Sequence, residues 1–518
     1  MNTRTLAALG VSWLALAGVA AAQQSSQPIQ TNHPQAEDPR DTRIHQLEER
    51  LDEIEQQLQD LKASTTADSA DIRNTQSAQT QVAVANGRPT FASADGQFKA
   101  AIRSVFQFDA ATYNQDTSGT AVAAGVRDLD AGTNFRRARI GIEGTAFRDW
   151  NYAITYEAGG SGVEAAGLQQ AWLEYAGWKP FGLTAPVRFR VGGYAVETNL
   201  QGGTSNADQL FLERPSIAEI QRATFGGDGR SAFGIFANGD HLFVNAALTG
   251  GLIGNTDAQA GPFDEQTGFS GRIGALLFAS PNSGLHIGAN YSAIFQLPDI
   301  QSPGLAGLRG VLQLRDRPEL RVDGNRLIDT GVISAEGANT YGLELGGQWN
   351  NLFAAAEWQQ INVDRPGSLP DAEFSGWYFN AAWTLTGEQH RWSPATGGFA
   401  GIRPAAPFDL SKGQWGAFEI AAGYSYVDLN SDALAATPAS TTYTLVSPST
   451  TLSVLTNQAI RGGKQEISSL GFSWYPNSVV RFELELQSVD VDRLSSAASP
   501  VQIGQSYDAL SLRSQVSF

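Results

Sequence analysis

Arginine is the residue of this sequence whose spacing offers chemistry. Thirty Arg carry nearly all the positive charge, against only five Lys, at 62, 99, 179, 412 and 464. Many of these arginines sit at alternate positions in runs that are otherwise apolar: Arg103, Arg137, Arg139, Arg188, Arg190, Arg272, Arg481 and Arg513. A guanidinium stays charged at any working pH and forks onto phosphate or carboxylate oxygens, so a row of them along one wall suits an anion path. The same parity carries Asp109, Glu143, Glu157, Glu174, Glu344, Glu483 and Glu485, and pairing across the lumen would instead brace the wall and weaken its field. Arg137 and Arg139 lie two residues apart on one face, which lets one be paired while the other stays free.

Bond-making chemistry has little to work with. With no Cys, disulfides, thiolate metal sites and thiol nucleophiles are excluded. Five His (33, 45, 241, 286 and 390) form no HExxH and no close pair, and GxxxxGK[ST] and GxSxG are absent. The glycines of Gly226-Gly227-Asp228-Gly229 fit a loop better than a phosphate cradle. No catalytic residue, metal or cofactor is expected, and the chain reads as no enzyme. A net charge of -17 also weighs against nucleic acid as a partner, since phosphates demand a basic footprint.

The elements that must position the arginines follow from a period of two that begins at residue 98. Ile102, Ser104, Phe106 and Phe108 alternate with Arg103, Val105, Gln107 and Asp109. Val187, Phe189 and Val191 interleave with Arg188 and Arg190, and Val480, Phe482, Leu484 and Leu486 with Arg481, Glu483, Glu485 and Gln487. Charges on the second face of strand after strand suit a sheet with lipid on one side and water on the other, and only a closed barrel leaves no unpaired edge in a membrane. Tight connections at 148–151, 238–240, 281–284, 350–351 and 476–478 alternate with long polar segments at 110–134, 159–168, 196–229, 250–267, 297–339, 362–373, 429–463 and 492–505. That rhythm predicts an all-β fold, a sixteen-stranded antiparallel transmembrane barrel over 98–518, wide enough for an aqueous lumen. One connection on the short side, 387–414, is long and fits the count least well.

Ahead of the barrel, Arg4, an apolar stretch from Leu6 to Val19 and Ala20-Ala21-Ala22 read as a signal peptide over 1–22. No later stretch supplies the ~18 apolar residues of a spanning helix. Residues 23–43 read as a flexible lead. Ile44, Leu47, Leu51, Ile54, Leu58 and Leu61 then repeat at intervals of 3, 4, 3, 4 and 3, the a and d seam of a coiled-coil helix over 44–62. So narrow a seam must meet sibling chains or another partner. Residues 63–97 read as a linker. At the other end Leu512, Val516 and Phe518 close an amphipathic strand in the manner of the sorting signal that barrel assembly machinery reads.

A family resemblance becomes visible in Phe135-Arg136-Arg137-Ala138-Arg139-Ile140-Gly141-Ile142-Glu143-Gly144 closed by Phe147-Arg148-Asp149-Trp150. With Phe211-Leu212-Glu213-Arg214, Leu385-Thr386-Gly387-Glu388, Gly416 to Leu429 and Gly471-Phe472-Ser473-Trp474-Tyr475-Pro476-Asn477 in order, the chain resembles the phosphate-selective porin O and P family. The resemblance implies a trimeric channel in the bacterial outer membrane, narrowed by an inward loop, with the coiled coil in the periplasm. It implies Arg136 and Arg137 on the lumenal approach and Arg214 on the constricting loop. Expected partners are outer-membrane lipid, sibling chains, the assembly machinery, small anions such as phosphate or polyphosphate and, through the helix, the cell wall. From residue 91 onward there are 41 acidic and 28 basic residues, and 196–229 holds no Lys, so phosphate should compete with chloride only weakly. A general or sugar-accepting diffusion porin using Trp172, Tyr378 and Trp415 is one alternative; a structural protein tethering the envelope is another.

Overall fold

A computed structural model of the protein describes residues 39–85, 87–115, 125–159, 166–227, 229–253, 265–298, 310–446 and 449–518. The 1–22 segment read as a signal peptide and residues 23–38 of the segment read as a flexible lead lie outside these residues. The chain divides into two units, Met1–Ser77 and Ala78–Phe518.

In the first unit, helix α1 spans Pro39–Ala78 and so extends past the 44–62 segment read from the heptads. Proline suits the first helical turn, where its missing N–H goes unused, and neither Gly nor Pro recurs before Gly87 to break the run. Beyond the seam the hydroxyls of Thr65, Thr66 and Ser69 donate to carbonyls four residues back, so these polar side chains are satisfied within the helix. The six seam residues are 50–64% exposed among the described residues.

The second unit opens with a hairpin, Gln81–Ala85 and Arg88–Ala92, inside the segment read as linker. Its two-residue connection is Asn86-Gly87 in the sequence, a strong hairpin signal, and Gly87 takes φ +74°. The hairpin pairs through Thr90–Ala92 with the start of the first barrel strand.

Sixteen antiparallel strands follow: β1 Lys99–Asn114, β2 Gly132–Ala146, β3 Trp150–Glu157, β4 Gly167–Trp178, β5 Val187–Tyr194, β6 Arg230–Asn238, β7 Leu242–Leu252 and β8 Thr267–Ser280. Then come β9 Ser283–Gln296, β10 Gly337–Trp349, β11 Leu352–Asp364, β12 Ala372–Thr384, β13 Ala417–Ser431, β14 Ile460–Tyr475, β15 Val480–Asp492 and β16 Ser506–Ser517. Each pairs with its neighbour, and β16 pairs back onto β1 from Ser517 opposite Val105 to Asp508 opposite Asn114, which closes the barrel. The period of two survives as an inverted burial pattern: Phe106, Ile140, Ile142, Leu248 and Leu343 are exposed while Gln107, Asp109, Glu344 and Arg513 are buried. An apolar exterior around a polar interior is what a closed sheet in lipid requires. Trp150, Trp178, Trp349, Trp383 and Trp474 lie at strand ends beside the short connections, and the first four are exposed there, forming the aromatic girdle of one membrane face.

A β-bulge decides the placement of Arg136. In the β1–β2 ladder Gln107 faces Arg137 but Phe108 faces Phe135, so Arg136 is the extra residue. Strict alternation would have aimed it at lipid; the bulge turns it inward beside Arg137.

Three connections fold into the lumen. Residues 195–229 carry a helical turn, Leu200–Gly203, and helix α2, Ser216–Phe225. Ile217, Ile220 and Phe225 of α2 pack on Phe374, Tyr378, Val427, Ile467 and Val489 of the wall and on Leu314, Leu320, Ile328 and Ile333 from residues 310–336. At roughly 1.5–3 kcal/mol for each large apolar side chain buried, this cluster holds both segments against the β11–β15 wall. The third is the long short-side connection, 385–416: it turns back inside, where Phe399 packs with Leu200 and Ala355. The count of sixteen strands thus stands, and the surplus residues fill lumen.

Candidate functional site

Among the described residues, a cavity of 480 Å³ lies between the β1–β5 wall and the inward segments. Eight arginines line it: Arg103, Arg136, Arg137, Arg139 and Arg190 from the wall, Arg214 and Arg222 from the 195–229 segment, and Arg321 from residues 310–336. Three carboxylates line it with them, Glu197, Asp208 and Glu219.

Arg103, Arg137, Arg139 and Arg190 each rest on a partner in the adjacent strand. Arg103 donates to Glu143 at 2.8 Å, Arg139 to Glu157 at 2.6 Å and Arg190 to Glu174 at 2.8 Å. Arg139 and Glu157 are register partners across β2 and β3, as Glu174 and Arg190 are across β4 and β5. The Arg190 guanidinium also lies over the Trp172 ring, 4.4 Å from its centroid. Arg137 donates to Gln107 at 2.5 Å and stands 3.7 Å from Glu213, so neither it nor Arg139 is the free member of a pair. Arg214 ties the inward segment to itself by donating to the carbonyls of Gln201 and Thr204 at 3.0 and 3.2 Å. Arg222 forks onto Glu219 with two contacts of 2.9 Å, and Arg321 donates to the same carboxylate at 2.8 Å.

Glu213 is the hub. Arg136 binds it at 2.5 and 3.0 Å, Arg513 at 3.1 Å, Arg321 at 3.5 Å and Arg137 at 3.7 Å. Burial opposes charge on this carboxylate, but Arg136, Arg137 and Arg321 outweigh it and hold Glu213 well below the usual carboxylate range. Glu219 is held low in the same way, by Arg222 and Arg321 against its burial.

The other sequence-derived arginines serve elsewhere. Arg188 donates to the Ala395 carbonyl at 3.1 Å. Arg272 forks onto Glu344, Arg481 donates to the Gln209 carbonyl at 2.6 Å, and Arg513 forks onto Asp109. None of the four lines the cavity. Of the three aromatics considered for sugar stacking, only Trp172 lines it: Tyr378 is fully buried and donates to Glu357, and the exposed Trp415 packs on Phe408. The sequence reading did not single out Arg222 or Arg321, nor give Glu213 a role. The signal for Glu213 was present in Phe211-Leu212-Glu213-Arg214, where a carboxylate sits beside the arginine that drew attention.

A closed antiparallel barrel with an apolar exterior and a charged, narrowed lumen defines an outer-membrane channel, not an enzyme. The family model described as phosphate-selective porin O and P matches residues 98–518, and the chain belongs to that family. It is 24% identical to porin O of Pseudomonas aeruginosa over 377 residues, covering 70% of this chain and 77% of that protein. It is 26% identical to an uncharacterized protein of Caulobacter vibrioides over 432 residues, covering 81% of this chain and 73% of that one. Among solved structures it is similar to the outer-membrane protein OmpT of Vibrio cholerae, with a TM-score of 0.45 and 10% identity over 82% of this chain and 98% of that one.

Proposed function

We propose that this protein is a passive porin for small anions, phosphate or polyphosphate among them, which cross the bacterial outer membrane through the cavity beside β1–β5. The observation that carries the proposal is the lining of that cavity: eight arginines against three carboxylates, while the partner carboxylates Glu143, Glu157, Glu174 and Glu213 do not line it and leave the balance close to even but basic at its surface, in a chain whose total charge is acidic. Selectivity depends on charge within about a Debye length of the narrow zone, ~8 Å at physiological salt, so charge on outer loops contributes little. In planar bilayers a salt gradient should give a reversal potential of anion sign at low salt that fades as ionic strength rises. Arg137→Ala and Arg214→Ala should each reduce it. A reversal potential of cation sign would replace this reading with the general or sugar-accepting porin. That alternative draws on Trp172, though Arg190 already covers one face of its ring. A structural tether with no conductance is the reading left if no current flows.

The exposed seam of α1 supports association of three sibling chains as a periplasmic coiled coil, or contact with the cell wall, while the barrel walls supply most of the trimer contact. The exposed Leu512 and Val516, with Phe518 at the end of β16, fit the strand that assembly machinery would read. Leu51→Pro should cost helical circular dichroism while light scattering in mild detergent still returns trimer mass. Dissociation to monomers in that variant would move the stability of the trimer from barrel to helix.

A further inference from the structure

Four guanidinium groups from three separate parts of the chain, Arg136 and Arg137 on β2, Arg321 on the 310–336 segment and Arg513 on β16, converge on one carboxylate. Glu213 is buried and its two oxygens are occupied by Arg136 and Arg513 at hydrogen-bond distance. A carboxylate and a phosphate present oxygens to a guanidinium fork in the same way, so the place Glu213 fills is the place an inorganic oxyanion would take. Three of the four arginines, Arg136, Arg137 and Arg321, also line the open cavity, so the cluster is within reach of a solute that enters it. Glu213 keeps its charge throughout the working pH range, because those same arginines hold its carboxyl low.

We infer that Glu213 is a tethered counter-anion that occupies the guanidinium cluster in place of phosphate and so sets the pore's affinity for inorganic oxyanions low. The inference rests on the anion-porin reading and deepens it by assigning the residue that limits oxyanion binding. A filled cluster lets anions pass along its edge without capturing them. An emptied one becomes an oxyanion site whose donors are already preorganised, so binding would cost little reorganisation.

The test uses the full-length protein in planar bilayers, with chloride conductance titrated by inorganic phosphate at constant ionic strength. In Glu213→Ala, which removes both the charge and the side chain that fills the cluster, the half-blocking phosphate concentration should fall about tenfold, the size of gain expected when a charge-assisted contact to an oxyanion becomes available. The double variant Glu213→Ala with Arg321→Gln removes one positive charge as well and should bring the block back toward the wild-type value. Unchanged phosphate block in Glu213→Ala with the barrel assembled, or tight block surviving in the double variant, overturns the assignment. If Glu213→Ala does not assemble, the wild type still decides: block only in the millimolar range supports the inference, and block at micromolar phosphate overturns it, because an open oxyanion site would then already exist. Failure of the underlying reading looks different. A wild type with cation preference defeats the anion porin, while phosphate block that still tightens from wild type to Glu213→Ala upholds the role of Glu213.

Discussion

Arg513→Ala should lower the thermal stability of the barrel by about 3–5 kcal/mol, the cost of removing one partner from a buried ion pair. Arg513 is 1% exposed in a cluster that joins two tasks. It forks onto both oxygens of Asp109 at 2.7 Å, and these two residues face each other across the β16–β1 ladder where the barrel closes. It also reaches Glu213 at 3.1 Å and donates to the Leu212 carbonyl, fastening the 195–229 segment to the seam. Alanine leaves Asp109 buried with its counter-charge gone, and it releases one tie on the inward segment in the same step. Arg513→Lys keeps the charge without the fork and should fall between. The measurement is the temperature at which the detergent-solubilised protein loses its heat-modifiable gel mobility; an Arg513→Ala barrel that melts with the wild type sinks the argument.

The period of two was enough to place the strands and to send Arg103, Arg139, Arg190, Arg481 and Arg513 inward, because side-chain parity in a closed sheet has only two outcomes. The carboxylates that brace them are among those of the same parity, but they pair between adjacent strands and not across the lumen as expected: Arg139 faces Glu157 and Arg513 faces Asp109. Contacts that depend on how a connection folds back were not. Arg136 points inward only through a bulge, which breaks the alternation that a pattern reading relies on. Glu213, Arg222 and Arg321 are carried into the lumen by two long segments whose path no local periodicity encodes. The 385–416 connection looked misplaced for the same reason: its length is spent inside the lumen. The 81–92 hairpin lay in a stretch poor in large apolar residues, and its Asn-Gly turn was the only cue.

That inward 385–416 connection gives the second large expectation: Arg272→Gln should raise single-channel conductance, on the order of a doubling, and weaken whatever ion preference the wild type has. Arg272 and Glu344 are both fully buried, joined by two contacts of 2.8 Å. The remaining donors of Arg272 reach the carbonyls of Thr396 and Gly397 at 2.8 and 2.7 Å, which pins the tip of the connection to β8. There it abuts the other inward segment backbone to backbone: a Cβ on Gly398 would stand 2.4 Å from the Gly203 carbonyl oxygen. Thr396, Phe399 and Ala400 also line the cavity, so a tip that swings away widens the passage on that side. A wider passage moves the solute farther from the guanidinium wall, and at physiological salt screening over ~8 Å removes much of the field that remains. Glu344 loses its buried counter-charge, which should cost stability of the same order as in Arg513→Ala, but it keeps contacts of 3.2 Å from both His286 and Asn290, so the barrel should still assemble. Conductance equal to the wild type in an Arg272→Gln barrel that remains heat-modifiable would show that the tip is held by its packing on Leu200 and Ala355 and not by Arg272.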